Sequence, residues 1–265
     1  MEKNKYYLAI IFLFSTIISC CQIQHIELPK SYTSEININS DTPLFKIYIE
    51  KNGIVFFNDK KIKIKNLGNI LFNKRNSMSQ DLVPFIITEI YADKNVSYKY
   101  IEEVKSQLIR ALFLNIVYKS GSLYGSKGVL HKLGKTTLLN IINYIDAGFE
   151  KNFKEELEKE FYSLNFGKVS KLNQKVNHKK VYFLKGGKIK LGEKVFNHNS
   201  VSLLYKHLNN VDFFYLIPDK RISYNDYLSN LAEIIKIYQK NKKHISFIEI
   251  TNNLQTEINK SNFKF

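Results

Sequence analysis

Apolar residues along the chain fall into short runs divided by polar turns, and the spacing within the runs changes in a repeated order. Lys46-Ile47-Tyr48-Ile49 and Ile54-Val55-Phe56-Phe57 flank Asn52-Gly53. That turn chemistry predicts a two-residue β-hairpin, because glycine takes positive φ without steric cost. Leu67 to Phe72 reads as a first helix, and Phe85-Ile86-Ile87 leading to Ile90 as a short β-favouring strand. The spacing then turns helical, with Ile101, Val104, Leu108, Ala111 and Leu112 on one face. Asn115 to Tyr118 returns to strand.

The same order recurs downstream. Val181-Tyr182-Phe183-Leu184 and Ile189-Lys190-Leu191 flank Gly186-Gly187, and Val201 to Leu208 reads as a helix. Phe213 to Ile217 is a strand, Tyr227, Leu228, Leu231, Ile234, Ile235 and Tyr238 share a helical face, and Ile245 to Ile250 closes the set. Self-similarity at a fixed offset marks a repeated structural unit. Ile90-Tyr91-Ala92-Asp93-Lys94-Asn95-Val96-Ser97-Tyr98 returns as Leu216-Ile217-Pro218-Asp219-Lys220-Arg221-Ile222-Ser223-Tyr224, an offset of 126 (219 − 93). The predicted fold is therefore α+β: two tandem small sandwiches, each a mixed β-sheet with two helices in the order β-hairpin-α-β-α-β. They span 44–120 and 178–251 and are joined by a helical linker. Gly53 to Asp93 is longer than Gly187 to Asp219 (40 against 32), and the excess is assigned to the polar loop Asn73 to Gln80. Ser97 and Ser223 stand where helix N-caps belong. Asp93 and Asp219 read as strand-end aspartates bracing the helix N-termini. Tyr98 and Tyr224 follow in the first turn, where an amphipathic ring buries its face and keeps its hydroxyl wet. A unit of about 75 residues has a marginal core, so the two copies are expected to pack on each other.

Residues 121–177 hold four glycines between Gly121 and Gly134 and then two stretches of helical spacing, Thr136 to Ile145 and Asn152 to Leu164. Glu155, Glu156, Glu158 and Glu160 in the second stretch read as a solvated face. Residues 252–265 form a polar tail. At the other end, Lys3 and Lys5 precede an apolar run from Tyr6 to Ile18, followed by Ser19-Cys20-Cys21. The run has the length of a signal-peptide core and is shorter than the roughly 20 residues a membrane-spanning helix needs. Ile17-Ile18-Ser19-Cys20 resembles the bacterial lipobox, which implies a signal peptide over 1–20 and lipidation at Cys20. The alternative is an uncleaved single-pass anchor from Tyr6 to about Cys21. Either places the body of the chain on the membrane of a bacterial envelope, facing the periplasm.

Charge narrows the partners. Among 265 residues, Lys+Arg number 40 and Asp+Glu 24, for a net charge of +16, which favours anionic partners. Export makes nucleic acid a poor candidate and leaves membrane phosphates and cell-wall polymer. Both cysteines of the chain sit at positions 20 and 21, so the body has neither disulfide nor Cys-ligated metal. His25, His131, His178, His198, His207 and His244 show no metal-ligand spacing, and no Gly-x-Ser-x-Gly elbow occurs. Gly134-Lys135-Thr136-Thr137 resembles the end of a phosphate-binding loop, but Gly128 to Gly134 encloses five residues where that loop requires four. No cofactor, no metal and no enzymatic activity are expected.

The hairpin with Gly53 and Asn58, the strand ending in Ala92-Asp93-Lys94 and the helix opened by Val96-Ser97-Tyr98 together resemble the periplasmic domain of the ExbD/TolR biopolymer-transport family. The likeness covers the first copy well and the second more weakly. It implies a small α+β domain that dimerises beside an envelope motor, with members of the TolR type also binding peptidoglycan. Partners would be motor or envelope proteins of the Ton/Tol type, and the two copies would form a pseudo-dimer within the chain or the chain a homodimer. In that family an aspartate in the membrane helix carries protons. Here Tyr6 to Cys21 contains no ionisable Asp, Glu, His, Lys or Arg, so this chain is not expected to be the proton carrier. Beside the helix-bracing reading, Asp93, Lys94, Ser97, Tyr98, Asp219, Lys220, Ser223 and Tyr224 are candidates for a partner-binding surface. The alternative reading is a free-standing, peptidoglycan-binding structural lipoprotein without a motor.

Overall fold

Positive φ at Gly53 (+81°) shapes the first hairpin. β1 (Leu44–Ile49) and β2 (Val55–Phe57) run antiparallel with Ile49 opposite Val55, so the connection is five residues long and not the two expected. The Gly53 amide donates to the Glu50 carbonyl at 2.8 Å and the Glu50 amide to the Ile54 carbonyl at 2.9 Å. Glycine here follows a turn as a left-handed bulge residue. A methyl group at this position would also overlap the Tyr100 ring. The two-residue turn comes one strand later. Asn58 (φ +46°) and Asp59 (φ +63°) join β2 to β3 (Lys60–Ile62), with Phe57 opposite Lys60.

The computed structural model describes residues 26–30, 36, 38–132, 178–197, 201–208, 213–240 and 246–250. Cys20, the signal segment, the helices expected over 136–164 and the C-terminal tail lie outside these residues. The first unit continues through α1 (Ile64–Asn76), a 3-10 turn (Gln80–Phe85), β4 (Ile87–Ala92), α2 (Tyr98–Arg110), β5 (Asn115–Lys119) and β6 (Gly128–Lys132). Its sheet has the order β3-β2-β1-β4-β5-β6, with β1, β4 and β5 parallel. The second unit comprises β7 (His178–Leu184), β8 (Lys188–Leu191), β9 (Lys194–Phe196), α3 (Val201–Leu208), β10 (Phe213–Pro218), α4 (Tyr224–Lys240) and β11 (Ser246–Glu249). Its order, β11-β10-β7-β8-β9, repeats β5-β4-β1-β2-β3 of the first sheet, and no counterpart of β6 occurs among the described residues. The protein is α+β, with two mixed sheets.

Three expectations are corrected. Residues 73–76 are helical and not loop, because α1 continues past Phe72 to bury Arg75. The Arg75 guanidinium donates to the Ala111 carbonyl at 3.4 Å and lies 4.9 Å from the Phe72 ring. It thus meets the C-terminal ends of two helices, where positive charge is favoured, and burial lowers its pKa to about 10. Leu112 is not on the helix: α2 ends at Arg110 and Leu112 takes φ +62° in the turn to β5. Residues 128–132, expected in a linker, instead form β6 and extend the first unit to Lys132.

Most of the buried apolar residues of both units belong to one contiguous cluster, running from Ile47 and Ile90 through Ile101 and Leu108 to Val181, Leu216 and Leu231. A smaller cluster covers the opposite face of the first sheet, where Ile26 and Leu28 pack on Tyr91 beside Tyr48 and Leu123. Pro29 fixes this extended segment by accepting from the Gly121 amide at 2.8 Å. No helix of the described residues is long and apolar enough to cross a membrane.

Candidate functional site

The two Asp-Lys-x-x-Ser-Tyr segments meet each other. Ser97 and Ser223 form an isolated antiparallel bridge. Around it the Tyr98 amide donates to the Ile222 carbonyl and the Tyr224 amide to the Val96 carbonyl, both at 2.8 Å. One step outward, the Lys99 amide donates to the Lys220 carbonyl at 3.1 Å and the Asn225 amide to the Lys94 carbonyl at 3.0 Å. Each bond has a partner displaced by the repeat offset, so the contact has a local two-fold axis.

This pairing answers a need at the helix starts. The first amides of a helix have no partner within it, and here the loop carbonyls of each unit satisfy the first amides of the other unit's helix. Ser97 consequently does not cap α2 through its hydroxyl, which donates instead to the Lys220 carbonyl at 2.7 Å. Ser223 does cap α4, its hydroxyl accepting from the Asp226 amide at 3.1 Å. Asp93 is buried and accepts from the Asn95 amide at 2.9 Å and the Glu27 amide at 3.1 Å. Lys94 pairs with Glu27. Asp219 accepts from the Arg221 amide at 2.9 Å and from its guanidinium at 2.7 Å. Those bonds hold its carboxyl below the usual range. Lys220 is exposed.

Neither tyrosine keeps its hydroxyl in water, which corrects the expectation for both. Tyr98 is 1% and Tyr224 0% exposed. The Tyr98 hydroxyl donates to the Glu249 carboxylate on β11, and that of Tyr224 reaches the Lys119 carbonyl at 3.4 Å. The reason is the pairing itself: each first-turn tyrosine is carried into the interface between the units.

Behind the bridge lies a polar cluster closed to solvent. Lys105 of α2 pairs with Glu249 of the other unit, their side chains 1% and 5% exposed. Glu249 also accepts from the Tyr227 hydroxyl at 3.0 Å, and Tyr227 lies 3.4 Å from the Tyr118 hydroxyl. The rings of Tyr98 and Tyr227 stand 4.5 Å apart, and the Lys105 ammonium lies 5.6 and 5.7 Å from their centroids. Burial first, and the Glu249 charge second, push the Tyr98, Tyr118 and Tyr227 phenols well above their ordinary pKa. These groups hold the units in one relative position. A carboxylate with one ammonium and two phenol donors has the hydrogen bonds that a buried charge requires.

Comparison with known protein families, with curated proteins and with solved structures finds no match in any of the three. A second buried pair joins Lys119 to Glu89 at 3.1 Å under the 26–30 segment, with the Tyr91 hydroxyl donating to Glu89 at 2.8 Å. Among the described residues, no group of three or more His, Cys, Asp or Glu converges as a metal site.

Lys105, Tyr227 and Glu249 escaped the sequence reading as a polar site. Lys105 directly follows Val104 on the apolar face of its helix, and a lysine there is the one signal that could have suggested a buried partner. Glu249 gave no such signal, because strand alternation alone does not say which face of β11 is covered.

Proposed function

We propose that the chain is a membrane-anchored, extracytoplasmic binding component of an envelope energy-transduction or biopolymer-transport complex. It is similar in role to the periplasmic part of ExbD/TolR proteins and carries neither protons nor catalysis itself. The observation that supports this reading most is the reciprocal pairing of the two Asp-Lys-x-x-Ser-Tyr segments. It gives a single chain the twin-domain form that the family reaches by dimerising. The motif thereby turns inward, and contact with a partner falls to the outer surfaces of the two units. Cys20 would tether the assembly through lipid.

Purification of the full chain from membranes in mild detergent tests the reading. Motor subunits of the Ton/Tol type should co-purify, and intact mass should report a lipid-modified chain beginning at Cys20. Recovery with peptidoglycan and no motor subunit would replace it by the free-standing wall-binding lipoprotein.

A further inference from the structure

The second sheet carries a groove of about 860 Å³ across β7 and β8, at the end where the β8–β9 turn closes. Lys180, Tyr182 and Leu184 alternate along β7 into it, and Lys190 stands opposite Tyr182 on β8. Lys179 and Lys194 complete its basic lining, against the single acid Glu193. Lys179 is held in place by donating to the His207 carbonyl at 3.0 Å.

We propose that this groove binds a linear polyanion carrying repeated phosphate groups. Four lysines from three strands border the groove, Lys180 and Lys190 from one face of the sheet and Lys179 and Lys194, by strand alternation, from the other, so a polymer passing the end of the sheet would meet ammonium groups on both sides. The described lining contains no arginine. Lysine binds phosphate as a point charge with rotatable donors, without the planar fork by which arginine grips carboxylate or phosphate in one fixed geometry, and so suits successive groups of a flexible polymer approached from several sides. The volume falls in the range of ligand-binding clefts, and a concave trough accepts a polymer strand better than it accepts the flat surface of a bilayer. Tyr182 and Leu184 add an apolar floor for the backbone of the polymer. Lys180 is partly withdrawn from water, and that burial lowers its pKa. The site needs no assumption about the envelope complex, and its test is made on the purified full chain.

Titration with long-chain inorganic polyphosphate, orthophosphate and phosphatidylglycerol vesicles tests the proposal. Polyphosphate should bind saturably, and orthophosphate should compete only at concentrations about a hundredfold higher, because linked charges bind together. Lys180→Glu with Lys190→Glu should weaken polyphosphate binding by about tenfold or more, since oppositely charged neighbours replace attraction by repulsion. The exposed pair Lys51→Glu with Lys65→Glu lowers the net charge equally, from +16 to +12 (16 − 4), and should change binding by less than about twofold. Both variants should melt close to the parent, because exposed and half-exposed charges contribute little to folding. Equal loss in the two variants would overturn the proposal in favour of net charge alone. Binding to the vesicles without binding to polyphosphate would overturn it in favour of a membrane surface.

Discussion

Tyr118 and Glu249 occupy the same place in the two units. Tyr118 stands opposite Ile90 on the neighbouring parallel strand, and Glu249 stands opposite Leu216. Ile90 and Leu216 are separated by the repeat offset of 126 (216 − 90). One unit thus fills the position with a phenol and the other with the carboxylate that Lys105 requires.

Removing one member of that pair should be costly. Glu249→Gln leaves the Lys105 ammonium buried without its counter-charge and is expected to destabilise the protein by about 3 kcal/mol or more. Adding Lys105→Met to Glu249→Gln should recover some of the loss. Chemical denaturation of the two single variants and the double completes a cycle whose coupling is expected to exceed about 1 kcal/mol. Simple additivity would show that the pair is not formed.

The buried phenols set the response to alkali. Tyr98, Tyr118, Tyr224 and Tyr227 all have pKa values raised above the ordinary 10.0 by burial. The folded chain keeps these protons where the unfolded chain releases them. Their contribution is therefore fully present below about pH 10 and is lost as pH rises beyond it, by ~1.4 kcal/mol per pH unit for each group. Ultraviolet titration should find at least these four tyrosines ionising only together with unfolding. Ionisation of all the tyrosines in a protein with unchanged circular dichroism would contradict this.

The two bridge serines should differ. Ser223→Ala removes the cap on the Asp226 amide and is expected to cost about 1 kcal/mol. Ser97→Ala removes a donor from the Lys220 carbonyl, which still accepts from the Lys99 amide. Its cost should be about 0.5 kcal/mol, at the low end for a single hydrogen bond. Thermal melts of the two variants decide the order, and a larger loss at Ser97 would reverse the assignment of roles.

Separating the units should weaken both. Residues 178–251 alone would expose Ile222, Tyr224 and Tyr227, all 0% exposed in the intact chain. They would also leave the first amides of α4 without the carbonyls of Val96 and Lys94. This fragment is expected to unfold at lower temperature and at lower denaturant than the same residues within the whole chain. Equal stability of fragment and whole would show that the bridge contributes nothing to folding.

The offset of 126 made the α+β class and the repeated element order legible, since periodicity and turn residues act locally. What stayed hidden depends on contacts distant in sequence. Ser97 and Ser223 carry identical cap signals, yet only Ser223 caps through its hydroxyl, because Ser97 is drawn to a carbonyl 123 residues away. Tyr98 and Tyr224 read as half-wet until the other unit closes over them. β6 was lost among glycines, although Gly128 to Lys132 pairs along the whole of β5. The 26–30 segment alternates over only three residues, with Ile26 and Leu28 buried on either side of the exposed Glu27, too short a pattern to mark an element before Tyr91 and Asp93 are brought to it. The eight motif residues were legible as a repeated motif. Their use against each other was not legible, because one copy of a motif says nothing of where the other lies.

Two identical chains meeting about a two-fold axis must present every residue twice. A lysine beside such an axis would arrive with its own copy, and each would need a separate carboxylate. Here the position related to Lys105 by the offset (105 + 126) holds Leu231, which is fully buried. Joining both halves in one polypeptide frees each side of the axis to mutate alone. It also makes the union of the halves independent of protein concentration, so dilution that would dissociate a pair of separate chains leaves this interface intact.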